Sequence, residues 1–244
     1  MANRTLITGG TVITVDPRLG DLPRGEVLIA DGAIVAVGAN LGVEDAERID
    51  AADCLVLPGL VDTHRHTWQA LFRNIASDWT LAHYFTGLHG TLSGLYRPQD
   101  TYAANLIGTL EALDAGITTL LDWSHNLNTP EHTDAAVDAL VQSRARVRFG
   151  HGGGHRHWQP VSSLPHPADD VRRLREGRLA ADHALVSCAS RRAATSSRRS
   201  RSPSRTGSSR ASSTCASAAT PATASGGATA RSPSSRATTC SGRR

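Results

Sequence analysis

Leu55-Val56-Leu57-Pro58-Gly59-Leu60-Val61-Asp62-Thr63-His64-Arg65-His66 decides how the rest of the chain is read. An apolar run closed by polar residues has the make-up of a strand buried in a parallel sheet. In an extended segment residues i and i+2 point the same way, so His64 and His66 leave that strand on one side. Two neutral imidazoles so placed suit one Zn, Fe or Ni ion. The spacing alone is a weak signal in a chain with 11 His. His155-Arg156-His157 repeats it in a Gly-rich stretch with no strand before it, and reads as an ordinary loop pair.

Upstream, residues 5–15 are β-branched and punctuated by Gly9-Gly10, and read as strands. Residues 26–30 and 33–37 flank Asp31-Gly32, a two-residue hairpin signal. Residues 1–57 therefore form part of a small β-sandwich. Downstream, strands and helices alternate. Helices are expected over 67–85, 98–115, 130–145 and 167–181. Buried strands are expected at 117–123, 147–151 and from 183 onward. That alternation predicts an α/β fold with parallel strands. Residues 58–187 then supply the first three to four strands of a (β/α)8 TIM-type barrel, with His64 and His66 at the strand end where such barrels assemble their sites.

The stretch 56–66 closely resembles the opening of the barrel in the amidohydrolase superfamily, and the strands before it, with Gly32–Gly38, resemble that family's N-terminal half-sandwich. Within the superfamily the chain is most similar to the cytosine deaminase and chlorohydrolase branch. Leu71-Phe72-Arg73-Asn74, Asp78-Trp79 and Ala115–Asp122 also have counterparts there. The resemblance covers residues 5–187. It implies a hydrolase acting on non-peptide C–N bonds, in which a metal-activated water attacks an sp² carbon. The expected reaction is deamination or dechlorination of a heterocyclic or amidine-type small molecule. It implies one divalent ion, Zn or Fe, held by the paired His, a later His and a late Asp, with a further His and Glu handling protons. Only His64 and His66 carry over as metal ligands; the catalytic acid–base residues have no counterpart here and stay unknown.

Three residues are candidate substrate contacts. His125 lies just past the second strand, on the rim of such a barrel. His151 ends the third strand, beside glycines that permit close backbone approach. Gln69, with Trp68, follows the paired His. Each also has a plain reading, as polar loop or core. Gly152-Gly153-Gly154 lacks the Lys-Ser/Thr of a phosphate-binding loop and reads as a loop only.

Residues 188–244 are of another kind. From Ser187 onward only Ala, Arg, Ser, Thr, Pro, Gly and Cys occur. Residues 191–244 carry 11 of the 26 Arg and none of the 22 acids, so the net charge of +4 hides −7 over residues 1–190. A segment without Leu, Ile, Val, Met, Phe, Trp or Tyr cannot offset its ordering entropy, and a disordered tail is expected. All seven residue types use codons with G or C at the second base, the signature of a G+C-rich gene read out of frame. The chain is accordingly expected to be truncated and inactive, since a barrel of eight strands takes about 250 residues and an open sheet edge invites aggregation.

The rival reading is a non-enzymatic fragment with a basic nucleic-acid-binding tail. Spaced Arg attract phosphates, but the tail offers no aromatic for base stacking, which argues against nucleic acid. No run approaches the roughly 20 apolar residues of a membrane helix, and Met1-Ala2-Asn3-Arg4 opens no signal-peptide core. The four Cys lack paired spacing. A cytoplasmic protein with a small-molecule substrate is expected, with a homo-oligomer open to its full-length form.

Overall fold

The β-branched N-terminus forms a five-stranded mixed sheet in the computed structural model, which describes residues 4–154, 167–181 and 184–189. Its strands are β1 (Arg4–Val12), β2 (Leu22–Ala30), β3 (Ala33–Gly38), β4 (Glu47–Asp50) and β5 (Leu55–Val56), in the order β3-β2-β1-β4 with β5 also on β1. β2 runs antiparallel to both β1 and β3, whereas β4 and β5 run parallel to β1. Asp31 and Gly32, at φ of 50° and 79°, make the tight β2–β3 turn with both central residues left-handed. Leu6, Val12, Val27 and Leu28 are its buried apolar residues.

The chain passes to a second sheet between Val56 and Leu60. Pro58, which has no N–H and a fixed φ, ends the first ladder there. The expected continuous strand is thus two pieces, β5 and β6 (Leu60–Arg65). Nor is it buried: Leu60 is 51% and Val61 65% exposed. Burial on both faces needs neighbours on both edges and helices over both sides, and among the described residues β6 pairs with β7 alone. β6, β7 (Ile117–Ser124), β8 (Arg146–His151) and β9 (Val186–Ala189) form an all-parallel sheet in sequential order. The architecture is α/β, with one mixed and one parallel sheet. Among the described residues the four parallel strands do not close a barrel.

Helices α2 (Pro98–Asp114), α3 (Pro130–Ser143) and α4 (Ala168–Glu176) connect these strands. Both α2 and α3 open on Pro in the first turn, where a missing N–H costs nothing. The Asp100 carboxylate accepts the Arg97 backbone N–H at 2.9 Å, closing the start of α2. The Arg97 guanidinium beside it holds that carboxyl down at about 2. The expected helix over 67–85 is absent. In its place stand a 3-10 helix (Thr67–Phe72), a single turn α1 (Leu81–His83) and a π-helix (Tyr84–Leu92). No helix among the described residues is long and apolar enough to cross a membrane.

The main core lies between the parallel sheet and α3–α4. Leu120, Val147, Phe149 and Val186 meet Ala136, Val137, Leu140 and Leu174. Truncating fully buried Phe149 removes apolar contact and leaves a cavity. Phe149→Ala is expected to cost roughly 3–5 kcal/mol by urea denaturation, while Val141→Ala, at a half-exposed site, changes stability by under about 1 kcal/mol.

Candidate metal centre

β6 delivers His64 at its end and His66 one residue beyond, and their ring centroids are 5.1 Å apart at 84°. Two imidazoles bound to one tetrahedral zinc at about 2.0–2.1 Å would have centroids about 5 Å apart, a separation close to the one observed here. Each ring is held from β7. His64 stacks on Trp123 at 5.0 Å, and the Trp123 indole N–H donates to the Thr63 carbonyl at 3.2 Å. His66 Nδ1 lies 2.8 Å from the Trp123 carbonyl. A carbonyl only accepts, so Nδ1 carries the proton and Nε2 keeps its lone pair. Burial lowers the His66 pKa, His64 nearby adds to this, and the Trp123 carbonyl opposes it in part. The ring is kept neutral, as a metal ligand must be.

A third imidazole joins them. His125, buried just past β7, has its ring centroid 4.1 Å from that of His66. Fully buried Trp68 donates its indole N–H to His125 Nδ1 at 3.0 Å. The neutral His125 ring therefore carries its proton on Nε2 and presents a donor. The π-helix brings a fourth ring, His89, 4.8 Å from both His125 and Tyr84. Gln69, on the 3-10 helix, donates its amide N–H to Tyr84 Oη at 2.6 Å. Among the described residues no three His, Cys, Asp or Glu are arranged to hold a metal ion together.

His151 is placed elsewhere. It shares the alternation of Val147 and Phe149 and so faces the helix layer. There its Nε2 meets Asp170 Oδ2 of α4 at 2.9 Å, and Asp170 also accepts from Thr133 Oγ1 at 2.7 Å. The residues that sequence reading left out are His89, Tyr84 and Trp123. A π-helix has no simple apolar period to signal it, and Trp123 reads only as part of a buried strand. The pair His155/His157 lies outside the described residues, as does the whole of residues 190–244.

The glycines beside His151 do serve close approach. A Cβ on Gly152 would sit 2.6 Å from His125 Cβ and 2.9 Å from its Cα. Gly152 thus fixes where His125 stands.

Residues 55–157 match the amidohydrolase family model. The chain is 33% identical over 147 residues to a 5'-deoxyadenosine deaminase of Methanosarcina acetivorans, covering 60% of this chain and 33% of that protein. Its fold aligns with a triazine hydrolase variant at TM-score 0.62 and 25% identity, covering 76% of this chain and 45% of the other. An atrazine chlorohydrolase from Arthrobacter aurescens, crystallised with zinc and atraton, aligns at TM-score 0.63 and 24% identity, over 76% of this chain and 46% of that one. The chain spans about a third of the length of the curated relatives it matches.

Two outcomes are expected here. Gly152→Ala lowers the melting temperature, because His125 or the backbone must shift at about 1–3 kcal/mol, whereas Gly94→Ala, with nothing within 4 Å, leaves it near wild type. The second concerns Asp122, fully buried at the end of β7 with its Oδ1 accepting the Thr67 N–H at 3.1 Å. Burial pushes its carboxyl up to about 6, above the ordinary value of 3.8. An acid whose pKa is raised on folding takes up a proton as the chain folds. Its contribution is therefore full below pH 4 and lost as pH rises through 6. Denaturation at pH 4 and pH 7 should show that decline, up to about 3 kcal/mol, and Asp122→Asn should abolish it.

Proposed function

We propose that this chain carries the opening half of the metal site of a hydrolase acting on non-peptide C–N bonds, with His64 and His66 as two ligands of one divalent ion, Zn or Fe. The observation that carries the reading is the side-by-side pair, with the Nε2 lone pair of His66 left available by the Nδ1–carbonyl bond. Such an ion supplies an acidified, oriented water for attack on an sp² carbon.

The residues fit that group as half of a donor set. A catalytic zinc takes three protein ligands and a water, and two imidazoles hold it loosely. His125, whose ring is held at Nδ1 by the Trp68 indole, contacts the substrate beside the ligand pair. Gln69 is the second substrate contact in this reading, with its amide tied to Tyr84. His151, turned to Asp170 in the helix layer, stays out of the substrate's reach and braces β8 against α4. The substrate class is an amine- or halide-bearing heterocycle or amidine, a reading supported by the deaminase and triazine hydrolase names of the relatives. We take the chain on its own to lack turnover, and to belong in the cytoplasm.

Zinc titration against a chromophoric chelator tests this. We expect weak binding of about one ion per chain, lowered at least tenfold by His64→Ala or His66→Ala and unchanged by His83→Ala at an exposed position. Binding indifferent to both ligand substitutions would remove the proposal. Ammonia release from an aminated heterocycle by the purified chain would overturn the claim of inactivity while leaving the metal pair standing.

A further inference from the structure

We propose that the seam between the end of β7 and helix α2 is a binding site for internal water, held by Asp122, Ser124 and Asn126. Each of these residues has a polar side-chain atom with no hydrogen-bond partner among the described residues: Asp122 Oδ2, Ser124 Oγ and Asn126 Nδ2. The three residues are 0%, 1% and 1% exposed, so bulk solvent does not reach them. Buried polar groups are nearly always paired, with protein or with ordered water. Three orphans at alternate positions of one chain segment need a partner from outside the protein.

Strand parity sets where they point. Leu120 of β7 belongs to the core against the helix layer, so Asp122 and Ser124, two and four residues on, face that layer too. The helix there is polar on its inner side. α2 buries Thr101, Asn105 and Thr109. Asn105 bonds Thr67, whose backbone N–H reaches Asp122 Oδ1 at 3.1 Å. The Thr101 and Thr109 hydroxyls turn back to the carbonyls of Arg97 and Asn105 on their own helix, and neither serves the orphans. A polar lining with several groups to bond is what internal water requires.

The donor set selects the ligand. Asn126 Oδ1 already accepts from Asn128 Nδ2 at 3.3 Å, which leaves Asn126 Nδ2, a donor only. A cation would meet that N–H, and among the described residues no three His, Cys, Asp or Glu gather round one. An anion would meet the buried Asp122 carboxyl. Water suits each of the three. It accepts from Asn126 Nδ2, donates to Asp122 Oδ2 and does either with the Ser124 hydroxyl. Ser124 stands beside the carboxyl, opposing in part the rise that burial gives its pKa. Yet Ser124 Oγ and Asp122 Oδ2 complete no hydrogen bond with each other, and a water between them satisfies both. With Oδ2 so held, Asp122 keeps Oδ1 on the Thr67 N–H, one residue past His66. The site needs no metal, so it stands or falls separately from the zinc titration.

The rival is a dry seam, in which Ser124 turns to donate to Asp122 directly and Asn126 stays unpaired. NMR of the isotope-labelled full chain separates the two. We expect a dipolar cross-peak between the Asn126 side-chain amide and the water resonance, with the sign of long-lived water and not of chemical exchange. Ser124→Ala removes one of the water's partners, and should lower the folded-to-unfolded ratio about tenfold in urea denaturation. A missing cross-peak overturns the proposal, whatever Ser124→Ala does. So does a rise in that ratio, since stability is gained only when the hydroxyl lost had no partner.

Discussion

One hydrogen bond, from His66 Nδ1 to the Trp123 carbonyl at 2.8 Å, orders everything around the paired imidazoles. It crosses from the end of β6 to the end of β7, where the ladder register slips between Asp62 and Arg65. Just where backbone pairing fails, side chains take over. The Trp123 indole returns to the Thr63 carbonyl, and Asp122 receives the Thr67 N–H. Three bonds, two donated from the His66–Thr67 side and one from Trp123, tie the two strand ends together. Because a backbone carbonyl cannot rotate away, the ring orientation of His66 is inherited from the sheet itself.

The same logic explains the composition of α2. Its buried residues are Thr101, Ala104, Asn105, Gly108, Thr109 and Ala112, while Ile107 and Leu110 face out. A helix that packs on a sheet through Leu and Val would sit some distance above it. This one lies against the 3-10 helix that carries Thr67, Trp68 and Gln69, and only small side chains allow that approach. Asn105 bonds Thr67 and reaches back to the Thr101 carbonyl at 2.8 Å. Arg65 spans from Asp62 to the Gly108 carbonyl at 3.2 Å and towards Glu111. Polar pairing here replaces an apolar interface, which fixes position rather than adding much stability.

That replacement marks where the sequence could be read and where it could not. The Asp31-Gly32 turn, the opening of α3 at Thr129-Pro130, and the strands ending at Ser124 and His151 follow from turn chemistry and apolar runs. The His64/His66 pair was legible because strand parity dictates that alternate residues share a side. Residues 67–95 were not legible. Leu88 and Trp68 have the look of ordinary helix core, yet the chain there coils as 3-10, then π, around rings that bond each other. Its order comes from Trp68 meeting His125, Tyr96 Oη meeting the Trp68 carbonyl at 2.7 Å, and Gln69 meeting Tyr84. None of these contacts is local, so no window of sequence contains them. The same strand parity places His151 on the face of Val147 and Phe149, where it meets Asp170.

The imidazole chain also has a direction. From exposed His64 through His66 and His125 to buried His89, the centroid spacings are 5.1, 4.1 and 4.8 Å. His66 keeps its proton on Nδ1 and offers a lone pair; His125 gives up its Nδ1 lone pair to Trp68 and offers a proton. Neighbours of this type separate their roles by tautomer, with an acceptor at the outer ring and a donor behind it. A protonated His66 would have to coexist with rings packed around it in a desolvated setting, and the Coulomb cost rises as the local dielectric falls. Burial therefore favours the neutral form of His66. A His66 ring with its Nδ1 committed to the Trp123 carbonyl keeps its Nε2 lone pair for an electron-pair acceptor.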